Sequence, residues 1–194
     1  MDRAQDNSVK QCIEVLLKGG IAVIPTDTVY GLVCRAIDKK AVKRLYSIKQ
    51  RTTNPGPIIS AAIEQLISLG IKRRYLKAVE HFWPNPISIE IPHDLDYLNL
   101  GTGRQAMRVV KGKKLVDFLK QTGPLLTTSA NSSGEPPAKN IAAAKKYFAE
   151  DIDYYLDGGE IDAVPSTLIS IEDDVVNVIR QGAVKINANG EIEK

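Results

Sequence analysis

The segment Pro25, Thr26, Asp27, Thr28, Val29, Tyr30, Gly31, Leu32 puts hydroxyls and a tyrosine directly after the apolar run Ile21 to Pro25. Open α/β sheets collect ligands in loops at strand ends, so Thr28 is a candidate contact for a small polar molecule. Thr26 and Asp27 also have the chemistry simply to close a turn. A second segment, Lys49, Gln50, Arg51, Thr52, Thr53, Asn54, Pro55, carries two cations out of a helical pattern into a loop. At a helix C-terminus such cations suit the local dipole. They would equally serve a polyphosphate, with Arg51 as a planar fork and Lys49 as a compact charge.

A third segment, Thr127, Thr128, Ser129, Ala130, Asn131, Ser132, Ser133, Gly134, follows an apolar strand pattern. Its small donors read either as a polar turn or as a carboxylate or phosphate cradle made partly of backbone N–H groups. Arg108 lies inside the apolar stretch Met107 to Val110. A cation there needs an anionic partner, whether an internal carboxylate or a ligand. Ser166 opens one predicted strand and Arg180 closes the next; if the two strands pair as a hairpin, hydroxyl and cation meet at one end. His81 and His93 are the only histidines and stand outside these segments, so both are read as structural. Cys12 and Cys34 form no CxxC pair or Cys/His cluster, and no protein-held metal site is expected.

Alternating helices and strands must position these groups. Asn7 or Ser8 caps a first helix with Val9, Cys12, Ile13, Leu16 and Leu17 on one face, and Gly19 and Gly20 end it. Ile21 to Pro25 reads as a buried strand, the following stretch as a loop, and Lys39 to Lys49 as a helix. Ile58 and Ile59 suggest a short strand; Ile63 to Ile67 and Ile71 to Phe82 suggest two helical segments parted near Gly70. Ile87 to Ile91 alternates with Ser88 and Glu90, as a half-solvated strand does. Ala106 to Val110 and Leu125 to Thr128 add strands around a helix at Leu115 to Leu119, and a further helix covers Ile141 to Phe148. Thr167 to Ile171 and Val175 to Ile179 form a hairpin through the acidic turn Glu172, Asp173, Asp174. The expected fold class is α/β with a mixed sheet, in a single domain over residues 1–194 whose last stretch, 185–194, is a loose tail.

With 43% hydrophobic and 25% charged residues over 194 positions, the chain has the material for one substantial core, which argues against disorder. A formal charge of +3 selects no partner, so the local placement of cations decides. No apolar run approaches the roughly 20 residues that span a bilayer, and the start lacks the apolar core of a signal peptide. A soluble, cytoplasmic protein is expected.

In order and spacing, seven pieces resemble the YrdC/Sua5 family, the threonylcarbamoyl-AMP synthases. They are PTDTVYGL at Pro25 to Leu32, KQR at Lys49 to Arg51, FWPNP at Phe82 to Pro86, MRV at Met107 to Val109, TSANSSG at Thr128 to Gly134, STLI at Ser166 to Ile169 and IRQG at Ile179 to Gly182. The resemblance implies a twisted mixed sheet with flanking helices around a basic concave cleft. It also implies formation of threonylcarbamoyl adenylate and pyrophosphate from L-threonine, bicarbonate and ATP. The product feeds modification of the adenosine next to the anticodon in tRNA (t6A37), with a threonylcarbamoyl transferase as the expected partner.

Carried over by position, Thr28, Arg108, Ser129 and Ser166 would hold threonine. Lys49, Arg51, Thr127, Asn131 and Arg180 would hold ATP, with Mg²⁺ on its phosphates and with Lys49 and Arg51 as the catalytic cations. Trp83 would pack beneath the cleft. The chain departs from the family after its KQR piece, where Pro55, Gly56, Pro57 stand in place of Lys or Asn, then Pro or Gly, then Leu. Asn85 replaces a common glycine, Ser60 stands where longer members often carry histidine, and Val110 replaces a common proline. An alternative reading is a non-catalytic relative whose cleft holds double-stranded RNA or tRNA by backbone charge. A third, carbamoyl transfer in hydrogenase maturation, would require added domains and zinc-finger cysteines that this sequence lacks.

Overall fold

The computed structural model describes residues 3–193. The first half runs α1 (Arg3–Leu17), β1 (Ala22–Pro25), β2 (Tyr30–Arg35), α2 (Lys39–Ile48), β3 (Ile58–Ser60), α3 (Ile63–Ser68), α4 (Arg73–Val79) and β4 (Ile87–Pro92). There follow α5 (Asp96–Asn99), β5 (Arg104–Val109), α6 (Lys113–Thr122), β6 (Leu125–Ser129), α7 (Ile141–Phe148), β7 (Tyr154–Tyr155), β8 (Thr167–Glu172) and β9 (Val175–Arg180). The strands make one nine-stranded sheet in the order β7-β1-β2-β6-β3-β5-β4-β8-β9. The β1/β7, β3/β5 and β4/β8 pairs are parallel and the rest antiparallel, which is the expected mixed α/β sheet.

Two apolar layers sandwich this sheet unequally. On one face Leu32, Cys34, Ile58, Ile89, Met107 and Leu126 pack with Val42 and Leu45 of α2, Leu66 of α3, Leu76 of α4 and Phe148 of α7. On the other, Ala22, Ile24, Val33, Ile59 and Leu125 pack under Cys12, Ile13 and Leu16 of α1 and Phe118 and Leu119 of α6. The second layer reaches only part of its face. What the sheet presents beyond it is polar, and that is where the site lies.

Several expectations change. Asn7 and Ser8 sit inside α1, which begins at Arg3 and carries Asp6 in its first turn, where a carboxylate suits the helix dipole. The loop read after Pro25 becomes strand from Tyr30 onward, because β2 lies between β1 and β6 and is buried on both faces, which erases the alternation that marks a half-exposed strand. For the same reason the first part of β4 is not half-solvated: Ser88 is buried between β5 and β8, whereas Glu90 and Pro92 are partly exposed on either side of buried Ile91, as the alternation predicts. Within the described residues, the stretch 185–193 is not a loose tail. Ile186 is buried and bridges Ile192, and the Gln181 side chain clasps both the N–H and the carbonyl of Ile186.

The end of α2 decides how its two cations diverge. Arg51 N–H donates to Tyr46 O at 2.9 Å and Gln50 N–H to Ser47 O at 3.0 Å, the paired bonds of a Schellman stop. Gln50 takes the left-handed position with φ 51°, which an L side chain occupies at a cost that glycine avoids. Gln50→Gly is therefore expected to raise stability by about 0.5–1 kcal/mol, less the extra entropy glycine adds to the unfolded chain. Chemical denaturation read at constant slope checks this.

Candidate active site

Cross-strand partners share a face and alternate residues return to it, so the pairing register fixes which side chains line the open side of the sheet. Leu125 pairs with Ile59, and Ile59 with Arg108. Thr127 and Ser129, two and four residues beyond Leu125, therefore face the same side as Arg108. Ser88, between inward-facing Ile87 and Ile89, faces that side too, and its hydroxyl lies 2.9 Å from that of Ser166. Thr127, Ser129, Arg108 and Ser166, expected as ligand contacts from three separate segments, thus share one polar surface. Gly31, the partner of Ser129, also faces it; a Cβ there would come within 2.7 Å of the Thr127 hydroxyl.

One half of the site is centred on Lys49. Its ammonium donates to Ser129 O at 3.1 Å, to Asn131 Oδ1 at 3.0 Å and to the Asn131 carbonyl. Ser129 Oγ completes the cluster with a 2.7 Å bond to Asn131 Oδ1. Burial, reinforced by Arg51, lowers the Lys49 pKa to about 8. With all three hydrogens accepted, Lys49 braces the turn after β6 in the absence of ligand. The expected cradle of backbone N–H groups is not formed by the core of this turn. Thr127 N–H is bonded to Pro57 O, Ala130 N–H to Tyr30 O and Asn131 N–H to Ser129 O, which leaves the side chains and the N–H groups of Ser132, Ser133 and Gly134 to meet an anion.

Arg51 leaves the helix in another direction. It donates to Asn54 O at 3.2 Å and lines a cavity of about 470 Å³ with Lys39, Lys43, Tyr46 and Tyr97. Burial pulls its pKa below the usual guanidinium value. The loop that departs from the family pattern is fixed here: Gln105 Nε2 donates to Gly56 O at 2.5 Å, and its Oε1 lies 3.2 Å from His93 Nε2. His93 Nδ1 accepts from Leu95 N–H, so Nε2 carries the proton.

His93 is structural, as expected, and burial lowers its pKa. A depressed histidine is neutral when folded and takes up its proton first in the unfolded chain. Stability is therefore fully present above the ordinary histidine pKa of about 6.5 and falls as pH drops through and below it. His93→Gln is expected to flatten that acid limb of a Tm-versus-pH curve.

The other half of the site is built around Arg108, which is almost fully buried. Its partner is an internal carboxylate: Nη1 lies 2.8 Å from both oxygens of Asp27. Thr26 closes the turn that carries Asp27, accepting from Thr28 N–H at 3.2 Å and donating to Val29 O at 2.6 Å, while Thr28 itself is buried. At the neighbouring sheet end Arg180 Nη2 donates to the Ser166 backbone carbonyl at 2.8 Å, so the two residues meet, while the Ser166 hydroxyl is turned to Ser88. Gly182 permits it, because a Cβ would come within 2.3 Å of Pro165 O. Asp27 and Ser88 were not among the expected contacts. The signal for Asp27 was the buried cation itself; for Ser88 there was none once β4 was read as half-solvated. Trp83 is buried, donates Nε1–H to Ile87 O at 2.9 Å, and packs as expected.

The family model described as "Telomere recombination", Sua5/YciO/YrdC, matches residues 14–182. The chain belongs to this family. A threonylcarbamoyl-AMP synthase of Stutzerimonas stutzeri is 33% identical over 159 residues, covering 79% of this chain and 86% of the relative. The structure of P. abyssi Sua5 complexed with L-threonine superposes with TM-score 0.80 at 28% identity, over 91% of this chain but 54% of the longer Sua5 chain. E. coli YciO shares the fold at TM-score 0.77 and 23% identity, over 92% of this chain and 90% of its own. The shared Sua5/YciO/YrdC fold accounts for the element order.

Proposed function

We propose that this family member is an L-threonylcarbamoyladenylate synthase, joining L-threonine, bicarbonate and ATP into threonylcarbamoyl adenylate with release of pyrophosphate, for tRNA modification. The observation that carries the reading is the sharing of one sheet face by Arg108, Ser166, Thr127 and Ser129, with Lys49 and Asn131 clustered at the turn that ends β6. Arg108 and Ser166 suit an amino-acid carboxylate and hydroxyl, with Thr28 in the turn beside Asp27; Lys49, Thr127, Ser129 and Asn131 suit a nucleotide's phosphates, and Arg51 and Arg180, which the structure turns elsewhere, are assigned to ATP by the resemblance alone. The threonylcarbamoyl-AMP synthase names of relatives at about one-third identity support the same reaction.

The chemistry asks little of a general base. Once threonine's nitrogen carries a carboxylate, that carbamate oxygen is the nucleophile, its bond to the α-phosphorus forms as the bond to pyrophosphate breaks, and no proton has to move in the step. The chain's task is alignment and neutralisation of converging negative charge. Lys49, Arg51 and Arg180 supply cations, and the buried Arg108 holds the threonine end so that the nucleophile faces the phosphate. No cluster of metal-ligating side chains occurs among the described residues. Asn131 Oδ1 already accepts from Lys49 and Ser129, so a Mg²⁺ carried by ATP would be held mainly by phosphate and water. Such an ion would offset phosphate charge.

Purified protein is tested for pyrophosphate release dependent on both threonine and bicarbonate, repeated with Arg51→Ala. No release from the parent protein defeats the enzymatic reading; equal release from the variant defeats the assignment of Arg51. A reading without turnover, in which tRNA is held by backbone charge, is favoured by the Lys39, Lys43 and Arg51 cations grouped about Tyr97. Salt-sensitive tRNA binding with no pyrophosphate release would select it.

A further inference from the structure

Arg108 and Asp27 meet by a single point rather than by two parallel bonds. One nitrogen, Nη1, lies 2.8 Å from both carboxylate oxygens, and only the contact to Oδ2 has hydrogen-bond geometry. Arg108 Nε and Asp27 Oδ1 are both buried without a hydrogen-bond partner among the described residues. The Arg108 side chain is only 4% exposed and that of Asp27 13%. Guanidinium–carboxylate pairs ordinarily engage as a two-bond fork. Here half of each fork is left over, one charged donor on Arg108 and one charged acceptor on Asp27, and Arg108 stands on the face that carries Ser166, Ser129 and Thr127. A buried polar group without a partner calls for a ligand or a water to explain it.

An α-amino acid bears the complementary pair on one carbon, a carboxylate that accepts and an ammonium that donates. We infer that Asp27 is a specificity-determining residue of the site: its free oxygen accepts from the substrate's α-amino group while Arg108 Nε–H takes the α-carboxylate. The inference rests on the proposed reaction, which brings an amino acid to Arg108, and adds a reader for its nitrogen. Because Asp27 sits in the turn between β1 and β2 held by Thr26, the same contact orients the nitrogen that must be carboxylated. Asp27 is a positioning residue in this scheme. Its removal should alter which ligands bind more than whether Arg108 binds carboxylates.

The test titrates two probes, L-threonine and (R)-3-hydroxybutyrate, which lacks the amino group, into the parent protein and Asp27→Asn. The parent is expected to prefer threonine by about tenfold or more, the scale of a charge-assisted bond, and the variant to lose most of that preference. Should Asp27→Asn fail to fold, the ¹³Cγ resonance of Asp27 in the parent protein is followed instead. It is expected to shift with threonine and not with saturating 3-hydroxybutyrate. Threonine binding with the same preference in parent and variant, or with no response at Asp27, overturns this inference and leaves the enzymatic reading standing. Absence of threonine binding by the parent overturns both.

Discussion

Lys49→Ala is expected to lower threonine- and bicarbonate-dependent pyrophosphate release by about 10²- to 10³-fold, the loss that accompanies removal of one preorganised electrostatic contact. Two effects act together. The cation that offsets phosphate charge is gone, and so is the brace on Ser129 and Asn131, which accept all three of its hydrogens. Arginine should not restore activity, because a planar fork cannot occupy a pocket shaped by three acceptors around one nitrogen. The same residue predicts the alkaline limb. With its pKa lowered to about 8, Lys49 is charged at neutral pH and loses its proton as pH rises through that value. The rate should therefore be level below about pH 8 and decline above it, and that decline should vanish from the residual activity of the variant. A parent-like rate in Lys49→Ala would remove this lysine from the mechanism.

Arg108→Ala should destabilise the fold by about 3 kcal/mol, because deleting one member of a buried ion pair strands the other. Asp27 would remain as a mostly buried carboxylate with no cation, and its exposure of 13% keeps the effect at the lower end for such pairs. In a protein of this size that corresponds to a Tm lower by about 6–12 °C. The double variant Asp27→Asn, Arg108→Met removes both charges and should recover a large part of the loss. Equal Tm values for parent and Arg108→Ala would mean that the pair makes no net contribution, and that Arg108 is retained for its ligand alone.

What was legible in the sequence was local. The three-and-four spacing of α2, the apolar run of β1 and the β8–β9 hairpin needed only neighbours along the chain, and the hairpin by itself predicted that Ser166 and Arg180 would meet. The order of seven short pieces carried the family. Stretches buried on both faces were misread, since β2 and the first part of β4 lack the contrast between a wet and a dry side on which alternation depends.

Long-range pairing decided the rest. The Thr127, Ser129, Arg108 and Ser166 side chains share a face because β6, β3, β5, β4 and β8 are adjacent in that register, and a slip of one residue would send each to the opposite side. The sequence alone determined that a cation in an apolar strand required an anion. Only the tertiary structure determined that the anion is Asp27, from a turn 81 positions earlier in the chain, and that the pairing leaves one donor and one acceptor unmet. The physical reason is that a side chain's valence belongs to the chain, whereas the geometry that fills or withholds it belongs to the packed sheet.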